Sequence, residues 1–188
     1  KKMIIVKLSG GLGNQMFQYA YAKVLEKNHQ VKIDVSEDTH ITGDYQLDKY
    51  NIDLISSTNR ENRRYHSLVP KFLRKILSHR SKIIKEKSML FDVDYLNIED
   101  DNYVIGFFQS EKYFKEIRGV LIEQFTLKRG VSNYTKEIEF KILEAKNSCS
   151  IHVRRGDYMS ERYIKTHHVC GLKYSRMQLN TCKVKFKI

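Results

Sequence analysis

Two short stretches carry residue types that can do chemistry. The first, "HVRRGDY" at residues 152–158, sets Arg154 and Arg155 side by side, directly before Gly156, Asp157 and Tyr158. Adjacent guanidiniums repel each other, and a guanidinium fork matches phosphate oxygens bidentately. The pair therefore suits an anion, each charge-assisted bond being worth roughly 1.5–3 kcal/mol. The competing reading is a surface ion pair between Arg155 and Asp157 with no ligand. The second stretch, "SGGLGNQ" at residues 9–15, offers Gly11 and Gly13 followed by Asn14 and Gln15. Glycines let backbone N–H groups approach an anion, and amide side chains hydrogen-bond hydroxyls. Such a turn suits a sugar phosphate, or a sugar hydroxyl beside one. Here the competing reading is a tight turn that binds nothing.

The elements that must position these stretches are legible in outline. Residues 3–8 form a mostly apolar run of strand length, broken by Gly10, Gly11 and Gly13. From Met16, apolar residues recur at three- and four-residue steps (Phe17, Ala20, Val24), which predicts a helix ending near Lys27 and Asn28. Val31, Ile33 and Val35 then alternate as in a second strand. Strand, glycine turn, helix and strand make a βαβ unit, so a parallel sheet is expected. "YVIGFFQ" at 103–109 predicts a further strand, and Ser110 a cap for a helix presenting Phe114, Ile117, Leu121 and Phe125. A helix over about 135–147 presents Ile138, Ile142 and Ala145, and leads into an alternating strand, "SCSIHV", at 148–153. On that strand His152 and Arg154 share a face, and the arginine pair falls at its carboxyl end, where open α/β sheets bind ligands. The fold class is α/β.

Two phosphate chemistries are set aside by the residues themselves. No Gly-Lys-Ser/Thr follows Gly13, so the turn is not a P-loop. A dinucleotide fingerprint has its first two glycines in Gly11 and Gly13 and a ribose-binding acid in Asp34, yet its third glycine position holds Met16. A methionine there pushes helix and strand apart.

Of 188 residues, 34 are Lys or Arg and 22 Asp or Glu, a formal charge of +12 that calls for acidic partners. Residues 60–87 hold ten of those cations against two glutamates, with Val69, Phe72, Leu73, Ile76, Leu77, Ile83 and Ile84 as an apolar stripe behind Pro70. A basic amphipathic helix of this kind packs its stripe on the core or lies on an anionic membrane surface. Nucleic acid ranks last, because only Tyr65 and Phe72 are there to stack on bases. Three cysteines, Cys149, Cys170 and Cys182, show no CxxC spacing, and His167, His168 and Cys170 form only a loose cluster, so neither a disulfide framework nor a metal site is expected. No run approaches the roughly 18 apolar residues of a membrane span, and the start is too short to read as a signal peptide. A cytoplasmic location is expected, with peripheral attachment to the membrane as an option.

"GGLGNQMFQYA", "GFFQSEKYF" and "HVRRGDY" resemble three segments of the α-1,2-fucosyltransferases of glycosyltransferase family 11. The resemblance runs from Met3 to about Tyr174. It implies a GT-B-like fold, with a Rossmann-like N-terminal domain at 1–147 and the beginning of a nucleotide-sugar-binding domain at 148–188. It also implies inverting transfer of fucose from GDP-fucose to the 2-hydroxyl of a galactose in a glycan acceptor, free or lipid-linked, without a metal or other cofactor and without nucleic acid. Carried onto this chain, Arg154 and Asp157 are the catalytic candidates. His152, Arg155 and Tyr158 bind the donor, and Gly11, Gly13, Asn14 and Gln15 line the donor or acceptor cleft. Asp157 takes the acceptor's proton or only orients Arg155 or Tyr158, and His152 is base, ligand or a satisfied strand histidine. The closing "SRMQLNTCKVKFKI" leaves the family pattern. The chain is therefore expected to hold an incomplete second domain, with little or no transferase activity alone. The alternative is a sugar-nucleotide or glycan-binding remnant without catalysis.

Overall fold

The computed structural model describes residues 2–36, 44–66, 82–150 and 174. The chain forms two compact units, Lys1–Gly130 and Val131–Ile188. The first is built on four parallel strands, β1 (Ile4–Lys7), β2 (Val31–Asp34), β3 (Lys82–Lys85) and β4 (Asn102–Ile105), in the order β2-β1-β4-β3. Ile4 pairs Val31 on one side and Asn102 on the other, and Ile83 pairs Tyr103. β1 is central and every one of its residues is buried, which is why it reads as a continuous apolar run.

Side chains alternate across the sheet. Ile4, Val6 and Leu8 join the main core with Tyr19, Ala20 and Ala22 of α1 (Leu12–Leu25) and Val104 of β4. Met3 and Ile5 point the other way and pack with Tyr103 and with Tyr65 of α2 (Asn59–His66). Helix α2 starts with a capping box: the Thr58 N–H donates to Glu61 Oε2 at 2.8 Å, and the Glu61 N–H donates to Thr58 Oγ1 at 3.3 Å.

The expected βαβ unit is present, but α1 begins at Leu12, a turn earlier than the apolar period places it. Asn14 and Gln15 therefore belong to the helix's first turn. The strand expected over 103–109 stops at Ile105. Beyond it, Glu86 at the end of β3 accepts from the Phe107 N–H at 2.6 Å and from the Phe108 N–H at 3.2 Å, drawing the chain off the ladder. Phe108 sits at φ 49°, left-handed for a bulky residue. Its ring stacks on Tyr21 with centroids 3.8 Å apart, which holds it there.

The helix expected from Ser110 is broken. Two 3-10 turns, Glu111–Tyr113 and Lys115–Ile117, precede α3 (Arg118–Gln124), and the Ser110 side chain caps nothing. Tighter winding turns Tyr113 inward, where its hydroxyl accepts from the Asp92 N–H at 3.0 Å. The amphipathic helix expected within 60–87 is also corrected. Ile83 and Ile84 lie in β3, whose backbone pairs with β4, so they belong to no helical stripe. Residues 67–81 of that stretch lie outside the described residues.

In the second unit, α4 (Asn133–Glu144) matches the expected helix within a turn at its C-terminal end, and Ser132 caps it by accepting from the Thr135 N–H at 3.1 Å. Residues 148–150 are not in a strand.

Candidate functional site

The strand order reverses between β1 and β4: the chain leaves β1 for one edge at β2 and resumes at the other edge with β3. Open α/β sheets take ligands at such a reversal, beyond the carboxyl ends of the strands. Two loops meet there. One is residues 8–11 leading into α1, and the other is residues 106–109 after β4.

Buried amides hold the loops in place. Gln15 is 2% exposed; its Nε2 donates to the carbonyls of Gly10 and Asp44, both at 2.8 Å, and its Oε1 accepts from the Gln46 N–H at 3.0 Å. Gln18 accepts from the Ser9 N–H at 2.8 Å and donates to the Gly106 carbonyl at 3.0 Å, tying the loops to each other. Asn14 accepts from Gln109 Nε2 at 2.7 Å. Both Gln15 side-chain hydrogens are engaged by backbone carbonyls, so Gln15 braces the turn that carries Gly11, Gly13 and Asn14.

The glycines differ in what they do. Gly10 has φ 76° and lies against Asn14, whose Nδ2 would be 2.5 Å from an added Cβ. At Gly106 an added Cβ would meet Glu86 at 2.6 Å and the Phe108 ring at 2.8 Å. Both are required by backbone or close approach. Gly11 and Gly13 would meet nothing within 4 Å and have no left-handed φ. The protein interior demands neither, so they leave space in front of the helix start.

Into that space points an uncapped helix. Gly11 at the N-cap has no side chain to accept, and the first intrahelical bond runs from the Gln15 N–H to the Gly11 carbonyl at 3.1 Å. Among the described residues, nothing accepts from the N–H groups of Leu12, Gly13 or Asn14. Three donors without a partner among the described residues, at the positive end of a helix, make a place for an anion.

Asp34, the ribose candidate of the discarded dinucleotide reading, is 2% exposed and committed elsewhere. The Tyr103 hydroxyl and the Ser36 N–H donate to it, and Lys7 Nζ lies 3.6 Å away. Burial pushes its carboxyl up, but the bonds from Tyr103 and Ser36 and the Lys7 charge outweigh this and hold it below its ordinary value of 3.8.

Beside Gln109, α1 and the segment after it enclose an apolar groove of about 300 Å³, lined by Met16, Phe17, Ala20, Gln109, Glu111, Phe114 and Phe125. The structure thus brings together Gly11, Gly13, Asn14 and Gln15 of the expected site. His152, Arg154, Arg155, Asp157 and Tyr158 lie outside the described residues. Among the described residues, no group of three or more His, Cys, Asp or Glu could hold a metal ion, and no helix is long and apolar enough to cross a membrane. Sequence reasoning missed Gln18, Gln109 and Glu86. A second buried amide one turn after Gln15 was the available sign of the first; the others act only through folding.

The profile of the family described as Glycosyl transferase family 11 matches residues 1–187. An alpha-1,2-colitosyltransferase of Escherichia coli is 31% identical over 98% of this chain and 65% of its own length. An O-antigen biosynthesis glycosyltransferase, WbnK, also of Escherichia coli, is 24% identical over 89% of this chain and 64% of its own. The chain thus spans somewhat under two thirds of the length of either relative. No solved structure matches it.

Proposed function

This chain belongs to glycosyl transferase family 11, and on that premise we propose that it serves the inverting transfer of fucose from GDP-fucose to the 2-hydroxyl of a galactose in a glycan. One observation carries the reading: among the described residues nothing accepts from three N–H groups at the start of α1, and an added Cβ at Gly11 or Gly13 would meet nothing within 4 Å, beside the point where the strand order reverses. A nucleoside diphosphate has the charge such a place accepts. The α-1,2 linkage is supported by the 31% identical relative.

In the proposed mechanism the diphosphate gains negative charge as the sugar becomes oxocarbenium-like. Arg154 and Arg155 stabilise that charge, with His152 and Tyr158 beside them. The arginines supply the positive charge, so the step as drawn needs no metal. Asp157 takes the proton from the acceptor hydroxyl or orients Arg155. Gly11, Gly13 and Asn14 line the cleft, and Gln15 holds their turn in shape. A second reading makes colitose the transferred sugar, favoured by the activity named for that same relative.

The test is titration of the 188-residue chain with GDP, followed by backbone amide NMR, beside a transfer assay with each GDP-sugar and a β-galactoside. The proposal expects GDP to move the resonances of Leu12, Gly13 and Asn14, and any glycosidic product formed to carry a 1,2 linkage. GDP leaving all three amides unmoved would reject the anion site, and a product of another linkage would reject the regiochemistry.

A further inference from the structure

We propose that a basic pocket at Lys49, Lys128 and Arg129 is a second anion site, one that holds a phosphate or diphosphate group. It is separate from the helix start, since none of Gly11, Leu12, Gly13 or Asn14 lines it. Its volume of about 600 Å³ lies within the roughly 300–1,000 Å³ of ligand cavities, so a phosphate enters with part of the molecule that carries it. Besides the three cations, the wall holds Asp48, Leu127 and Gly130.

The backbone builds the cationic wall. Lys49 closes a 3-10 turn at Leu47–Lys49, whose Leu47 is fully buried. The chain then pairs antiparallel with residues 126–128, around Tyr50 and Leu127. The Lys128 N–H donates to the Lys49 carbonyl at 2.9 Å, and the Asn51 N–H to the Thr126 carbonyl at 3.0 Å. Behind this pair, Phe125 packs on Tyr19 of α1 and on Tyr50, with ring centroids 5.7 and 6.5 Å away. The register sets Lys49 directly opposite Lys128, so their side chains leave on one face. Like charges so placed repel, and Arg129 adds a third. Asp48 is the one carboxylate in the wall among the described residues, yet none of the three cations forms an ion pair with it or with any other of them. Folding thus gathers like charges without neutralising them, and an anion between them removes the repulsion. A phosphate offers two oxygens to the arginine fork, and the two ammonium groups meet its remaining charge.

The experiment titrates the 188-residue chain with inorganic pyrophosphate, and with chloride at matched ionic strength, following backbone amides by NMR. Pyrophosphate is expected to move Lys49, Lys128 and Arg129 saturably, with affinity about tenfold weaker in Lys128→Gln and in Arg129→Gln. All three residues are exposed, and Lys128 meets Lys49 through its backbone, so these variants keep the fold. Because Lys128→Gln removes a repulsion, its melting temperature without ligand is expected to equal or exceed the parent's. Sedimentation with phosphatidylcholine vesicles, with and without phosphatidic acid, identifies the source of the phosphate. Co-sedimentation that needs phosphatidic acid and is competed away by pyrophosphate supports the site with a lipid headgroup in it. Amide shifts with no co-sedimentation support it with a soluble phosphate ester. Four results overturn the proposal: the three amides unmoved by pyrophosphate, chloride moving them equally, affinity unchanged in both variants, or a lower melting temperature in Lys128→Gln. Leu12, Gly13 and Asn14 report on the helix start by themselves, so either anion site can fail while the other stands.

Discussion

Asp34 shows how one carboxylate can tie three strands together. It sits on β2, opposite Lys7 of β1, and takes the hydroxyl of Tyr103 from β4. Its pKa is held below 3.8 in the folded chain, so its contribution to stability is fully present above that value and is lost as pH falls through the folded pKa. Tyr103→Phe removes a bond that depresses the pKa. The expected result is a smaller difference between the melting temperatures at pH 7 and pH 3 than in the parent, read by circular dichroism. A different outcome belongs to Arg154, the proposed stabiliser of the departing diphosphate. Arg154→Ala is expected to lower transfer by several powers of ten, each worth about 1.4 kcal/mol of barrier, in initial-rate assays. Near-normal turnover in a folded variant would remove it from that role.

The start of α1 and the loop after β4 work as paired elements, each with glycines of opposite meaning. Gly13 lies inside the helix with open space around it, so Gly13→Ala is expected to stabilise the chain by up to about 1 kcal/mol while weakening GDP binding. Denaturant unfolding and calorimetry read the two effects separately; loss of stability would mean that the space is not free. Gly106 is hemmed in by Glu86 and Phe108. Gly106→Ala is expected to cost about 1–3 kcal/mol, because the clash displaces the side chain that holds the Phe107 and Phe108 amides. The same loop explains why the segment from 103 to 109 is only half a strand. Its sequence has strand propensity throughout, but Glu86 competes for two of its amides.

The sheet as a unit decides how much similar residues matter. "IIVK" and "KIIK" look alike in composition, yet β1 lies between two strands and β3 at the edge. Ile5 is fully buried against Tyr65 and Tyr103, whereas Ile83 is 40% exposed. Ile5→Ala is expected to cost about 2–5 kcal/mol, and Ile83→Ala about 1 kcal/mol or less, by chemical denaturation. Equal losses would contradict the strand order. The described part of the basic stretch 60–87 is divided by the same architecture, since α2 covers one sheet face and β3 closes the sheet edge.

The sequence by itself determined the βαβ opening, because a continuous apolar run, a glycine break and a three-to-four-residue period leave few other folds. It also marked the loop carrying Gly11, Gly13 and Asn14, since glycines before a helix are a local signal. Family likeness in three motifs agreed with the profile match over residues 1–187. Only the tertiary structure decided that Gln15 braces the turn through two backbone carbonyls, and that Gln109 reaches Asn14 from 95 residues away. Nothing local encodes either pairing. A hydrogen-bond partner across a sheet is fixed by strand order and register, and those are settled when the whole core closes.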